Sequence, residues 1–141
     1  MIVSGGRDGT VQVWGSPGAL DKDAPTLLFG HTKAVISLFA QSRTRICSGS
    51  ADTTCRVWNP KSAKCSLILS GHMSAVTNVW CDDSQIITAE VEGRLRVWSH
   101  NGSCVAILEG ETSPETPSSQ PIEMLVFQKV CGQRPTLLDS V

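Results

Sequence analysis

The sequence predicts an all-β chain in which a unit of four antiparallel strands repeats about every forty residues, the period of a β-propeller blade. Three observations carry that prediction. The stretch GHTKAVISLFAQSRTRICSGSADTTCRVW from Gly30 to Trp58 recurs as GHMSAVTNVWCDDSQIITAEVEGRLRVW from Gly71 to Trp98, and its second half stands earlier as SGGRDGTVQVW from Ser4 to Trp14. Trp14, Trp58 and Trp98 close the three copies at spacings of 44 and 40 residues. Short runs that alternate apolar and polar side chains are separated by Gly, Asp, Asn and Pro, the chemistry of strands joined by tight turns.

Taken in order, Ile2-Val3 is a first short strand and Thr10–Trp14 a second. Asp8-Gly9 between them reads as a type I′ hairpin turn, which needs positive φ at both central positions. The segment GSPGALDKDAP, from Gly15 to Pro25, is a loop by composition. It absorbs the extra spacing after Trp14, because surface loops accept insertions that packed strands do not. Thr26–Phe29 is a short apolar strand. The first full cycle places strands at Ala34–Phe39, Arg45–Gly49, Thr54–Trp58 and Cys65–Leu69; the next places them near Ala75–Trp80, Gln85–Ala89, Arg94–Trp98 and Ser103–Leu108. Asn101-Gly102 turns the chain before the last of these. The units are thus a partial blade over residues 1–29, holding its second, third and fourth strands, and full blades over 30–69 and 70–109. A loop rich in Ser, Thr and Pro follows over 110–121, and 122–141 is the divergent start of a further blade or a tail.

Composition excludes several classes. At 141 residues the chain has the length of one ordinary domain, and 40% apolar with 18% charged residues describe a globular protein rather than a disordered one. The net charge is −1 and no run of Lys or Arg builds the field that phosphate-backbone binding requires, so nothing argues for nucleic acid. Six cysteines at 47, 55, 65, 81, 104 and 131 never fall into a Cys-x-x-Cys pair, which leaves them as free thiols packed like small apolar residues. The start, MIVSGGRDG, lacks the basic region and apolar core of a signal peptide, and no apolar run approaches the ~20 residues of a membrane span. A cytoplasmic or nuclear location is the expectation.

With these strands, the Gly-His pairs at Gly30-His31 and Gly71-His72 and the Trp that ends each third strand, the chain resembles the WD-repeat family. The resemblance implies a buried hydrogen-bond set in each blade: His31, Ser48, Asp52 and Trp58 in the first full unit, and His72, Thr88, Glu92 and Trp98 in the second. In the partial unit it implies Ser4, Asp8 and Trp14, with no His among the residues present. Such a set has a physical reason, since polar groups inside a blade packed on both faces must satisfy one another. Glu92 stands where Asp is expected, and its extra methylene should loosen that set. The residue after each Trp is Gly15, Asn59 or Ser99, and the Trp-Asp-x-Arg motif of ligase adaptors is absent.

His31, Ser48 and Asp52 have the residue types of a hydrolytic triad, but the same grouping recurs beside Trp98, which favours a structural set over a catalytic one. No phosphate-binding Gly-rich loop, Gly-x-Ser-x-Gly or His-Glu-x-x-His is present, and no cofactor or metal is implied. Asn101-Gly102-Ser103 fits a glycosylation acceptor, yet suits a hairpin better. Ser113-Pro114 and Thr116-Pro117 resemble proline-directed phosphorylation sites within what reads as a plain linker.

The function expected is a non-enzymatic platform for other proteins or peptides, as a fragment or short isoform of a larger propeller. The alternatives are a regulatory or substrate-recruiting propeller of a larger enzyme or ubiquitin-ligase assembly, and an RNA-associated assembly factor. The family resemblance implies a partner face at Arg7, Thr32, Lys33, Ala51, Met73, Ser74 and Val91. A ring needs at least four blades or so to close, so uncovered blade faces and strand edges are expected to favour self-association.

Overall fold

The computed structural model describes residues 1–15 and 24–109. Their regular structure is all strand, in eleven segments: β1 (Ile2–Gly5), β2 (Val11–Trp14), β3 (Thr26–Leu28), β4 (Val35–Ser42), β5 (Arg45–Ser50), β6 (Cys55–Asn59), β7 (Lys64–Leu69), β8 (Val76–Cys81), β9 (Ile86–Glu90), β10 (Leu95–Trp98) and β11 (Cys104–Leu108). They form three antiparallel sheets in sequence order, β1-β2-β3, β4-β5-β6-β7 and β8-β9-β10-β11, called here blades one, two and three. The Ser/Thr/Pro-rich loop at 110–121, with Ser113 and Thr116, the segment 122–141 with Cys131, and most of the loop after Trp14 lie outside the described residues.

Register follows the period-two pattern. In blade two Ile46 pairs with Trp58 and Cys47 with Val57, so the first pair faces blade one and the second faces blade three. Two cores result. Val11, Val13 and Leu28 of blade one pack with Ile46 and Trp58; Cys47, Cys55, Val57 and Leu69 pack with Val76, Val79, Cys81, Ile86 and Trp98 of blade three. Each core lies between blades, so every blade depends on its neighbour for burial.

A close approach makes this stacking possible. A Cβ at Gly49 would sit 2.6 Å from Ser37 Oγ, 2.7 Å from Val76 Cγ1 and 2.9 Å from Val79 Cγ2. Gly5 holds the same place in blade one, where a Cβ would fall 2.6 Å from Val35 Cγ1. β1 and β5 are therefore kept bare where a valine of the next blade enters.

The turns between the second and third strands depart from the expected geometry. At Gly6–Gly9 only Gly9 has positive φ (86°), Gly9 N–H donates to Gly6 O at 3.2 Å and Gly6 N–H to Thr10 O at 2.8 Å. This is an ordinary turn followed by a left-handed residue rather than type I′, and Asp8 keeps negative φ because its Oδ1 accepts the Thr10 N–H at 3.0 Å. Blades two and three repeat the pattern at Ser50–Thr53 and Glu90–Gly93, with Thr53 at φ 66° and Gly93 at φ 80°.

The five described cysteines are free. Cys47, Cys55 and Cys81 are buried between blades two and three, and Cys65 is half-buried, whereas Cys104 is exposed on the outermost strand β11, which corrects the reading of it as a packed residue.

The candidate site: buried polar sets beneath an exposed loop face

The sharp turn after β5 and the Gly30-His31 entry into β4 bring four side chains together inside blade two. Trp58 Nε1–H donates to Ser48 Oγ at 2.7 Å, and His31 Nε2 lies 2.7 Å from the same oxygen. His31 Nδ1 lies 2.8 Å from Asp52 Oδ2, which also accepts the Thr32 N–H at 3.0 Å. Asp52 Oδ1 accepts from the Thr54 hydroxyl at 2.6 Å and from the Thr54 N–H at 2.9 Å.

Proton placement follows from donors and acceptors. Burial alone would raise the Asp52 pKa, but hydrogen bonds from Thr54, Thr32 and His31 outweigh it and bring it down to about 2. An ionised Asp52 only accepts, so Nδ1 of His31 carries the proton. Burial pushes the His31 pKa below its usual value despite the hydrogen bond and charge of Asp52, so Nε2 is bare and accepts the Ser48 O–H. Each donor in the relay, the Trp58 indole, the Ser48 hydroxyl and His31 Nδ1, then has an acceptor.

These distances have the Ser–His–Asp order of a hydrolase triad. However, Ser48 has no exposed surface and its oxygen already holds the indole N–H, so no substrate carbonyl reaches it. Sequence reasoning missed Thr54, which supplies two of the hydrogen bonds on Asp52. Its signal is the Asp-x-Thr spacing, repeated at Asp8-Gly9-Thr10.

Blade three builds its set differently. His72 Nε2 and Trp98 Nε1 meet Thr88 Oγ1 at 2.8 and 2.9 Å. Glu92, expected to complete the set, is exposed on the turn. The carboxylate that enters is Glu90, at the end of β9, where blade two has Ser50. Glu90 Oε2 accepts the Met73 and Ser74 N–H groups at 2.8 and 3.2 Å, and Oε1 accepts from Arg96 Nε at 2.7 Å. Against the effect of burial, these bonds hold the Glu90 carboxyl below its usual pKa. Glu90, buried beside Arg96, already caps the Met73 amide, the counterpart of the Thr32 amide that the turn carboxylate takes in blade two. His72 Nδ1 is then buried with no hydrogen-bond partner among the described residues.

Blade one holds only remnants. Asp8 is used within its own turn. Ser4 is exposed on β1, and Trp14 is 39% exposed against 1% for Trp58. Ile2 is 71% exposed where its counterpart Ile46 is fully buried.

Above the sets, the chain places Arg7, Ala51 and Val91 in the three equivalent turns, and Thr32, Lys33, Met73 and Ser74 on the segments that enter β4 and β8. All seven lie at one end of the blades. Ala51 N–H donates to Ala34 O and Val91 N–H to Ala75 O, at 3.0 and 3.1 Å, while Val35 N–H crosses to Gly6 O of blade one at 3.0 Å. Asp52 and Glu90 fasten the entering segments through the Thr32, Met73 and Ser74 amides. Arg7, Thr32, Lys33, Met73 and Val91 are exposed, and Ala51 and Ser74 are half-buried. Among the described residues no group of three or more His, Cys, Asp or Glu is placed to hold a metal, and no helix is long and apolar enough to cross a membrane.

Two stacked four-stranded antiparallel blades, each ending its third strand on a buried Trp tied to a His through a hydroxyl, beside a three-stranded one, define a β-propeller repeat protein. The chain belongs to the WD domain, G-beta repeat family, whose profile matches residues 1–15, 24–59 and 63–99. It is 32% identical over 114 residues to the ribosome biogenesis protein YTM1 of Eremothecium gossypii, covering 71% of this chain and 25% of that protein. The YTM1 of Meyerozyma guilliermondii is 30% identical over 148 residues, covering 96% of this chain and 32% of the relative. The F-box/WD repeat-containing protein sel-10 of Caenorhabditis elegans is 36% identical over 99 residues, covering 70% of this chain and 17% of the relative. The chain thus spans no more than about a third of these relatives.

Proposed function

We propose that the chain is part of a non-enzymatic scaffold that docks another protein on the loop face of Arg7, Thr32, Lys33, Ala51, Met73, Ser74 and Val91. The observation that supports this reading is a rigid, exposed surface with a mixed character. Met73 is 74% exposed and Val91 42% exposed, at the same end of the blades as the cations Arg7 and Lys33, while the backbone beneath is tied down by Asp52 and Glu90. Exposed aliphatic side chains on an immobilised backbone lose little entropy on docking, and nearby cations steer an acidic partner. The buried Ser48 supports the non-enzymatic part.

The test is capture of partners from cell extract by the wild-type chain and by an Arg7→Glu/Lys33→Glu double variant. Loss of acidic partners from the variant, with an unchanged melting curve, is the expected result. Equal recovery from both counts against this face.

A second reading is a part in ribosome biogenesis, favoured by the two YTM1 relatives. A ubiquitin-ligase adaptor role has the weaker support of sel-10. Mass spectrometry of the captured material separates them: pre-ribosomal proteins with salt-sensitive RNA favour the former, ligase subunits the latter.

A further inference from the structure

At the opposite end of the blades from the loop face, a cleft of about 460 Å³ opens between blades two and three. Arg45, Asn59, Ser66 and His100 supply its polar wall, and Val57 with Leu67 an apolar side. We propose that this cleft is a second docking site, which takes an acidic side chain of a partner peptide together with an aliphatic neighbour.

Arg45, at the start of β5, is positioned from two blades. Its Nη1 lies 3.2 Å from Gln41 Oε1, and 3.2 and 3.3 Å from the two ring nitrogens of His100. All its hydrogen bonds to described residues run through Nη1, so Nε and Nη2 keep the donor pair that grips a carboxylate. His100 is held by a tight turn, with Gly102 at φ 89° and hydrogen bonds Gly102 N–H to Ser99 O and Ser99 N–H to Ser103 O at 3.0 and 2.9 Å. The turn lies over β7, where a Cβ on Gly102 would reach Leu67 Cδ2 at 3.5 Å.

The local charge favours an anion. Residues 41–45 and 59–66, which form this end of blade two, carry Arg43, Arg45, Lys61 and Lys64 and no acid. Asp82 and Asp83 of blade three lie at the same end, so four cations face two carboxylates, and both carboxylates already accept hydrogen bonds. Asp83 Oδ1 accepts from Gln41 Nε2 at 2.5 Å, and Asp82 Oδ1 accepts from the Ser84 N–H and hydroxyl and the Gln85 N–H at 2.7, 2.7 and 2.9 Å. A peptide fits better than a nucleic acid, because the Trp58 in the wall is only 1% exposed and offers no face on which a base could stack.

The test is fluorescence anisotropy of the 141-residue chain with a fluorescein-labelled peptide of alternating Glu and Leu, its Gln-for-Glu analogue and a phosphoserine-for-Glu version. The Glu peptide is expected to bind about tenfold tighter than the Gln analogue. Arg45→Gln should remove that preference. Ser66→Glu, which places a competing carboxylate on an exposed cleft residue and takes no contact away, should also weaken the Glu peptide while the protein melts as wild type. A tighter phosphoserine peptide, sensitive to the same two substitutions, would make phosphate rather than carboxylate the preferred source. Wild-type affinity in both variants, or displacement of the peptide by an oligouridylate that is equally sensitive to Arg45→Gln, overturns the proposal.

Discussion

Glu90 and Arg96 are joined side by side within blade three, Oε1 to Nε at 2.7 Å, at a place where blade two has Ser50 and Arg56. Without a carboxylate opposite it, Arg56 Nε is buried with no hydrogen-bond partner among the described residues, and the guanidinium lies 5.9 Å from the Trp58 ring centre. The two blades therefore fasten the segment after their His by different acids, Asp52 from the turn and Glu90 from the strand.

That difference separates two neighbouring glutamates. Glu90→Gln leaves the Arg96 charge unpaired and weakens the bonds to two amides, a loss of about 3–5 kcal/mol by analogy with broken buried ion pairs. Glu92→Gln, on the exposed turn, should stay within about 0.5 kcal/mol of wild type. Urea denaturation of both variants checks this; similar midpoints would return the structural role to Glu92.

The hydroxyl at position 48 is shared by an indole and an imidazole, so its removal strands two buried groups. Ser48→Ala should cost about 1–3 kcal/mol for each of them. Ser48→Thr should keep most of the stability, because Thr88 makes the same two contacts in blade three. A thermal melt showing the alanine and threonine variants equally destabilised would mean that volume rather than hydrogen bonding governs the site.

Acid should act in two stages. His31 and His72 both have pKa values lowered from 6.5, chiefly by burial, so folding favours their neutral forms. Their contribution is complete above pH 6.5 and is lost as pH falls below it. Asp52 is lowered from 3.8 to about 2, and its contribution, complete above pH 3.8, is lost between those values. Urea midpoints should hold steady above pH 6.5, decline below it and fall again below pH 4.5, as first Glu90 and then Asp52 take up protons. A midpoint that is flat between pH 6.5 and 4.5 contradicts the first stage.

Gly49→Ala places a methyl group against Val76 and Val79 and should cost about 1–3 kcal/mol by overpacking the interface between blades two and three. Gly102→Ala is the contrast. It strains the backbone at φ 89° but meets only ordinary contacts at 3.5 Å and beyond. If stacking governs stability, near-ultraviolet circular dichroism of the buried Trp58 and Trp98 should change in the first variant and not the second.

The side of blade one that faces away from blade two has its own signature among the described residues. Ile2 and Trp14 are exposed at the positions that blade two buries as Ile46 and Trp58, a surface suited to self-association. Light scattering should show concentration-dependent oligomers, and Trp14→Glu should shift them toward monomer. A monodisperse monomer of the wild-type chain would count against it.

Much of the fold was legible because strand and turn signals are local. Period-two alternation located all eleven strands to within about three residues at either end. The first blade's turn type was misread because Asp8 could bond its own loop, an alternative to positive φ that the Asp-Gly pair alone does not reveal. Glu92 stands where the family resemblance puts the acid, and a position in a motif cannot weigh a buried arginine that draws in a different carboxylate. The cleft was not legible at all, since Arg45 and His100, which meet in its wall, are 55 positions apart.

The sequence by itself determined the repeat, the strands and the residue types available for a buried polar set, since all of these follow from periodicity and local chemistry. Tertiary structure decided which of those residues meet. Stacking the sheets buried Ser48 beyond the reach of any substrate and joined Arg45 to His100, and the pairing of β9 with β10 set Glu90 rather than Glu92 against Arg96, because burial and contact are properties of assembled sheets and not of any one strand.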